Sequence, residues 1–206
     1  MKWWPPKEWP LWKRIHGVFE KQPPSLYELR PFSKPISDMA PATVLLFSSD
    51  EPSLLRKLIQ GVTNARVCHA GMYFGSGRHE VIEADPEGVA RNTLDARLKS
   101  KSEMIWAYNY KPMTVTQLQI IKAYCNGRIG VKYDYVTLLD FVLGGDHSSE
   151  SRVICSELVV LAFKEISVQI CPNKYPGKVS PGDLQNWFTT HPAEWELFDT
   201  QNVKKS

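Results

Sequence analysis

Val153-Ile154-Cys155-Ser156-Glu157-Leu158-Val159-Val160-Leu161-Ala162-Phe163 is the stretch on which the reading of this chain turns. It reads as a strongly apolar helix opened by a cysteine. Leu158, Leu161, Ala162 and Glu165 fall three or four residues apart, so they are expected to share one inward face. Cys155 then occupies the first turn, where free backbone N–H groups and the positive end of the helix dipole favour a thiolate. A thiol in that position falls from a pKa of about 8.5 to roughly 3.5–7.5 and becomes a nucleophile at neutral pH. A lone cysteine in an apolar helix more commonly fills space. The balance changes when a histidine with an orienting partner lies elsewhere in the chain.

Such a pair stands in a hairpin upstream. Residues 67–74 read as a strand, 75–78 as a turn and 79–84 as the returning strand. With the hairpin centred on Ser76, His69 faces Glu83 directly and both project to one side of the sheet. A one-residue slip would separate them. Taken singly, His69 is an ordinary sheet-edge histidine and Glu83 an ordinary solvent-facing residue. Taken with Cys155 they read as a Cys-His-Glu triad. Cys155 would attack a carbonyl carbon, His69 would hold the thiolate and protonate the leaving group, and Glu83 would orient the imidazole. Backbone N–H groups around Cys155 are suited to stabilising an oxyanion. Ser156, next to the cysteine, and Tyr133 are the expected substrate contacts. Tyr133 lies in Lys132-Tyr133-Asp134-Tyr135, which opens a helix running from Tyr133 to Leu143; Asp134 as a simple helix cap is the competing role there. His79 is the fallback partner for the cysteine, His147 lies in a Gly/Ser loop before it, His191 reads as a surface turn, and His16 lies in the N-terminal segment.

The remainder sets the frame. At 206 residues, with 43% hydrophobic and 23% charged residues, one domain with a real core is the default. The division expected is a Trp/Pro-rich N-terminal arm over residues 1–41 and a hydrolase domain over 42–206. The arm carries Trp3, Trp4, Trp9 and Trp12; packing on the domain is its more ordinary role, with an interfacial helix over 11–21 as the alternative. Thr43-Val44-Leu45-Leu46-Phe47 reads as a buried strand, and a helix is expected over Ser53 to Gln60. Met104 to Tyr110 is a further strand with Trp106 and Tyr108 on one face, and Gln117 to Asn126 a helix capped by Thr114 or Thr116. Ser180-Pro181-Gly182-Asp183 starts a last helix, and Trp195 to Phe198 is a closing strand. A net charge of +3 with no basic run longer than a pair gives nucleic acid little weight as a partner. Cys68, Cys125, Cys155 and Cys171 form no CxxC or CxxH pair, so neither a metal site nor an organic cofactor is expected, and the cysteines read as reduced thiols. No apolar run reaches the roughly 18 residues of a membrane span, and residues 1–10 lack a signal-peptide core. A cytoplasmic protein as synthesised is expected, with export by a non-classical route as a variant.

His69-Ala70-Gly71-Met72-Tyr73-Phe74-Gly75, then Val81-Ile82-Glu83-Ala84, then Lys132-Tyr133-Asp134-Tyr135, then Ile154-Cys155-Ser156-Glu157-Leu158-Val159, in this order, resembles the circularly permuted NlpC-type, papain-like cysteine hydrolases, notably the YiiX-like group. In the unpermuted form the cysteine helix precedes the histidine strand; here the histidine comes first. The resemblance covers about 42–198. It implies an α+β fold, a central antiparallel sheet packed against the nucleophile-bearing helix. It matches Cys155 to the nucleophile, His69 to the histidine, Glu83 to the variable third member and Tyr133 to a cleft-lining tyrosine. It also implies amide, ester or thioester cleavage through an acyl-enzyme. The first expectation is therefore a cysteine peptidase or amidase acting on peptides or peptidoglycan fragments, an antibacterial effector or phage cell-wall enzyme being specific versions, with an immunity or secretion partner. The second is a lipid acyl hydrolase or acyltransferase of the lecithin:retinol acyltransferase-like branch, although that branch typically carries an Asn-Cys-Glu-like motif. The third is a non-catalytic binding module.

Overall fold

The computed structural model describes residues 34–49, 65–75, 78–95, 103–137 and 151–202. A six-stranded antiparallel sheet organises them, in the order β4-β3-β2-β1-β5-β8. The strands are β1 (Thr43–Ser49), β2 (His69–Gly75), β3 (Glu80–Asp85), β4 (Gly88–Thr93), β5 (Glu103–Tyr110) and β8 (Trp195–Asn202). A small parallel pair, β6 (Lys132–Tyr133) and β7 (Arg152–Val153), forms a second sheet beside β4. The architecture is α+β, a central antiparallel sheet packed against the cysteine-bearing helix, as the resemblance implies.

The near-continuous apolar run of β1 follows from its place mid-sheet, covered on both faces. Val44 and Leu46 face a core shared with Ala70, Met72, Ile82 and α2 (Cys155–Lys164), the helix opened by the cysteine. Leu45 and Phe47 face a second cluster with Tyr73, Val81, Ile105 and Phe198. That second face is covered by the last residues of the expected arm. A 3-10 turn at Ile36–Asp38 leads to Met39, which is 3% exposed, and Lys34 N–H donates to Asp199 Oδ2 at 2.9 Å.

Helix α2 begins at Cys155 itself, with Ile154 extended before it. Its buried surface is wider than one stripe. Cys155, Ser156, Leu158, Val159, Val160, Ala162 and Phe163 are all buried, whereas Leu161 is half-exposed and Glu165 exposed. The expected single face therefore fails for Leu161 and Glu165, because the sheet, α1 (Val115–Gly127) and the turn at Pro176–Lys178 enclose the helix from several sides. Thr114 caps α1 through a reciprocal capping box with Gln117. Ser180 and Asp183 do the same for α3 (Pro181–Thr190), whose first residue is proline. An aromatic cluster joins these elements: the Trp195 ring lies 4.1 Å from Phe188 and 5.0 Å from Phe163, centroid to centroid. Trp106 and Tyr108 share the α2-facing side of β5, as expected.

Two expectations change. Tyr133 is in β6, so it does not open a helix; the helical turn starts at Tyr135, because Asp134 Oδ1 accepts from the N–H groups of Val136 and Thr137 at 3.1 and 3.0 Å. The β2–β3 hairpin is paired Gly71↔Glu83, Met72↔Ile82 and Tyr73↔Val81, with an irregularity before Gly75↔Glu80. That is two residues away from a register centred on Ser76. The parity of the faces survives, since a two-residue shift returns each side chain to its own side. The expected helix at Ser53 to Gln60, the helix beyond 137, the loop around His147 and residues 1–33 lie outside the described residues.

Candidate active site

The site forms where the β2–β3 ladder ends. Pairing stops at Gly71↔Glu83, and one residue further along β2 the N–H of Ala70 donates to the sulfur of Cys155. The N–H of Ser156 donates to the same sulfur. The thiol thus lies where the β2–β3 pairing ends, at the N-terminal end of α2. His69, at the start of β2, supplies the third contact, a side-chain hydrogen bond to Cys155. Its other partner is Glu83: Nε2 to Oε2 is 2.6 Å. With Nε2 engaged by the carboxylate, Nδ1 is the ring nitrogen left for the sulfur. Phe47 supports the ring, centroid to centroid 5.4 Å.

All three groups are buried: Cys155 is 2% exposed, His69 6% and Glu83 0%. Burial opposes charge on each of them. For His69 the largest single effect is that desolvation, which lowers its pKa. The negative charge of Cys155, its hydrogen bond and the Glu83 carboxylate together outweigh it and raise the imidazole from 6.5 to about 9. For Cys155, desolvation pushes the thiol up. The imidazolium charge and hydrogen bond of His69 and the two backbone N–H donors overcome it, and the net shift is downward. The arrangement is that of a thiolate–imidazolium pair. The contrast is Cys125, equally buried with no such partner, where desolvation pushes the thiol up to about 12.

The structure thus brings Cys155, His69 and Glu83 together. Glu83 reaches His69 diagonally, because its direct opposite is Gly71. Tyr133 pairs with Val153, two residues before Cys155, and is 5% exposed with its ring 5.2 Å from Tyr135. The Ser156 side chain does not reach the site. Its hydroxyl is fully buried and donates to the carbonyl of Val179, so only its backbone N–H serves the sulfur. His79 stands at the far end of the hairpin, bound through Nδ1 to the Tyr73 hydroxyl at 3.0 Å. His191 ends α3, with Nδ1 2.9 Å from the Trp187 carbonyl. Sequence reading passed over Gly71 and Asn92. An ideal Cβ on Gly71 would lie 3.0 Å from Val81 Cγ1 and 3.2 Å from Glu83 Cβ. Asn92 Nδ2 donates to Glu83 Oε1 at 2.8 Å. Neither has a local signature, because a glycine and an asparagine within strands announce nothing until the register is known.

A histidine strand preceding a cysteine helix, on an antiparallel sheet, defines a papain-like cysteine hydrolase in permuted order. Residues 41–185 match the model of the permuted papain-like amidase enzymes, YaeF/YiiX, family C92, and the chain belongs to that family. It is a cysteine peptidase/amidase-type hydrolase. Among solved structures, it is similar in fold to the metalloprotein YiiX from Escherichia coli O157:H7, at 18% identity and a TM-score of 0.54, over 80% of this chain and 89% of that one. No curated protein sequence matches the chain. Among the described residues, no group of three or more His, Cys, Asp and Glu side chains is placed to hold a metal ion, and no helix is long and apolar enough to cross a membrane.

Proposed function

We propose that Cys155, His69 and Glu83 are the catalytic triad of an amide hydrolase whose substrates are peptides of the peptidoglycan stem type. The observation that carries the triad is the continuous chain of contacts: two backbone N–H groups and His69 on the sulfur, and Glu83 on the far nitrogen of His69. The amidase family supports amide cleavage, and the resemblance to peptidoglycan-directed hydrolases supports the substrate class. The Cys155 thiolate adds to the amide carbon, and N–H groups at the start of α2 face the developing oxyanion. The C–N bond breaks as His69 gives its proton to the leaving amine, which leaves an S-acyl cysteine. Water then adds to the thioester, passing a proton to His69. The acid departs and the thiolate–imidazolium pair is restored.

The test is incubation of purified muropeptides with the wild type and Cys155→Ala, read by mass spectrometry. The proposal predicts amide cleavage by the wild type alone, with an S-acyl adduct on Cys155 under rapid quench. Equal cleavage by both would overturn the triad. Inert muropeptides beside cleaved phospholipid esters would overturn the substrate class in favour of the lipid-directed alternative, while keeping the nucleophile.

A further inference from the structure

The Glu83 carboxylate has two oxygens, and they are held by side chains from two different strands. Oε2 meets His69 of β2 and Oε1 accepts from Asn92 of β4. The register shows how one residue reaches both. Asn92 stands opposite Val81, two places from Glu83, and Glu83 stands opposite Gly71, two places from His69. His69, Glu83 and Asn92 therefore form a diagonal row across three strands on one face of the sheet. The two residues directly opposite Glu83 are Gly71 on one side and Ala90 on the other, the two smallest side chains available. A side chain at Gly71 would crowd the carboxylate on the His69 side. The ideal Cβ of Gly71 already comes within 3.5 Å of Glu83 Oε2.

From this row we infer that Asn92 is a positioning residue for the reactive cysteine, acting through Glu83 and His69, with Gly71 and Ala90 as the small flanks that let the row form. The inference rests on the triad reading and deepens it. A carboxylate held by one oxygen rotates about its last bond; held by both, it keeps Oε2 on Nε2 of His69. The amide of Asn92 also satisfies a lone pair of a fully buried anion, which otherwise carries a desolvation cost. Removing the Asn92 donor takes away the hydrogen bond that steadies Oε1, so the imidazolium is held less well and the thiolate is less populated at neutral pH.

The experiment measures iodoacetamide labelling of Cys155 against pH, by mass spectrometry, in the full chain as wild type, Asn92→Ala, Asn92→Leu and Glu83→Gln. Asn92→Leu is close in size to Asn and removes the donor without adding a charge or an acid proton, and it serves if Asn92→Ala does not fold. The expected result is labelling at pH 6.5 slowed about tenfold in both Asn92 variants, the size of one charge-assisted hydrogen bond. A merely structural Asn92 would lower the melting temperature and leave the labelling profile in place. Wild-type labelling by either folded Asn92 variant, with Glu83→Gln slowed, overturns this inference alone. Wild-type labelling by Glu83→Gln as well overturns the triad reading beneath it.

Discussion

His69 and Glu83 bind across a diagonal of the sheet: Nε2 and Oε2 are 2.6 Å apart, although the residue directly opposite Glu83 is Gly71. The missing side chain at Gly71 is what opens that path. Gly71→Ala places a methyl group 3.0 Å from Val81 Cγ1 and 3.2 Å from Glu83 Cβ. Val81 is fully buried and Glu83 is held at both oxygens, so neither gives way freely. The expected outcome is a loss of about 1–3 kcal/mol of stability from overpacking, with slower Cys155 labelling. Thermal melting and alkylation kinetics on the same samples check both effects.

Ser156→Ala separates packing from reactivity. The hydroxyl lies in the core and donates to the Val179 carbonyl, and its loss leaves that carbonyl without this donor. A cost of about 1–3 kcal/mol is expected, read as about 2–4 °C in Tm for each kcal/mol. The backbone N–H that serves the sulfur is unchanged, so Cys155 labelling at 25 °C should stay near wild type. A large fall in labelling in the folded variant would return the Ser156 side chain to the site.

Protonation of His69 sets the alkaline limit. The imidazole is raised to about 9, so the charged form is complete below its ordinary 6.5 and is lost as pH rises through about 9. The lowered thiol of Cys155 sets the acid limit, its thiolate being lost as pH falls. Amide hydrolysis should therefore follow a bell in pH, with an alkaline limb near 9. Glu83→Gln removes the carboxylate charge beside Nε2, which lowers the His69 pKa and moves that limb to lower pH. NMR of ¹³C-labelled histidine follows the group itself. A His69 titration near 6.5, the same in both proteins, would contradict the ion pair.

The sequence carried the parts of this site that have local signatures. A cysteine ahead of an apolar run marks a helix start whatever lies around it, and α2 begins at Cys155. Alternation along β2 and β3 put His69 and Glu83 on one face, and parity is insensitive to a two-residue shift. What alternation does not contain is the rung, which depends on the turn and on the irregularity between Tyr73 and Gly75. Asn92 was invisible for the same reason, since its meeting with Glu83 needs two registers at once. Helical spacing describes one face, whereas α2 is packed from several, so its contact is wider than the spacing of its apolar residues shows. A helix from Tyr133 starts two residues too early: Asp134 is the cap, the turn begins at Tyr135, and Tyr133 ends a strand.

The central claim is that Cys155 is held as a thiolate by His69, and its alkylation by iodoacetamide against pH in wild type and His69→Ala tests it most directly. The account predicts fast labelling of Cys155 that persists well below pH 8 in the wild type and fades in His69→Ala, while Cys125 stays unlabelled in both folded proteins. Slow labelling of Cys155 with an ordinary thiol profile, unchanged by His69→Ala, would contradict it and leave Cys155 as a buried core residue.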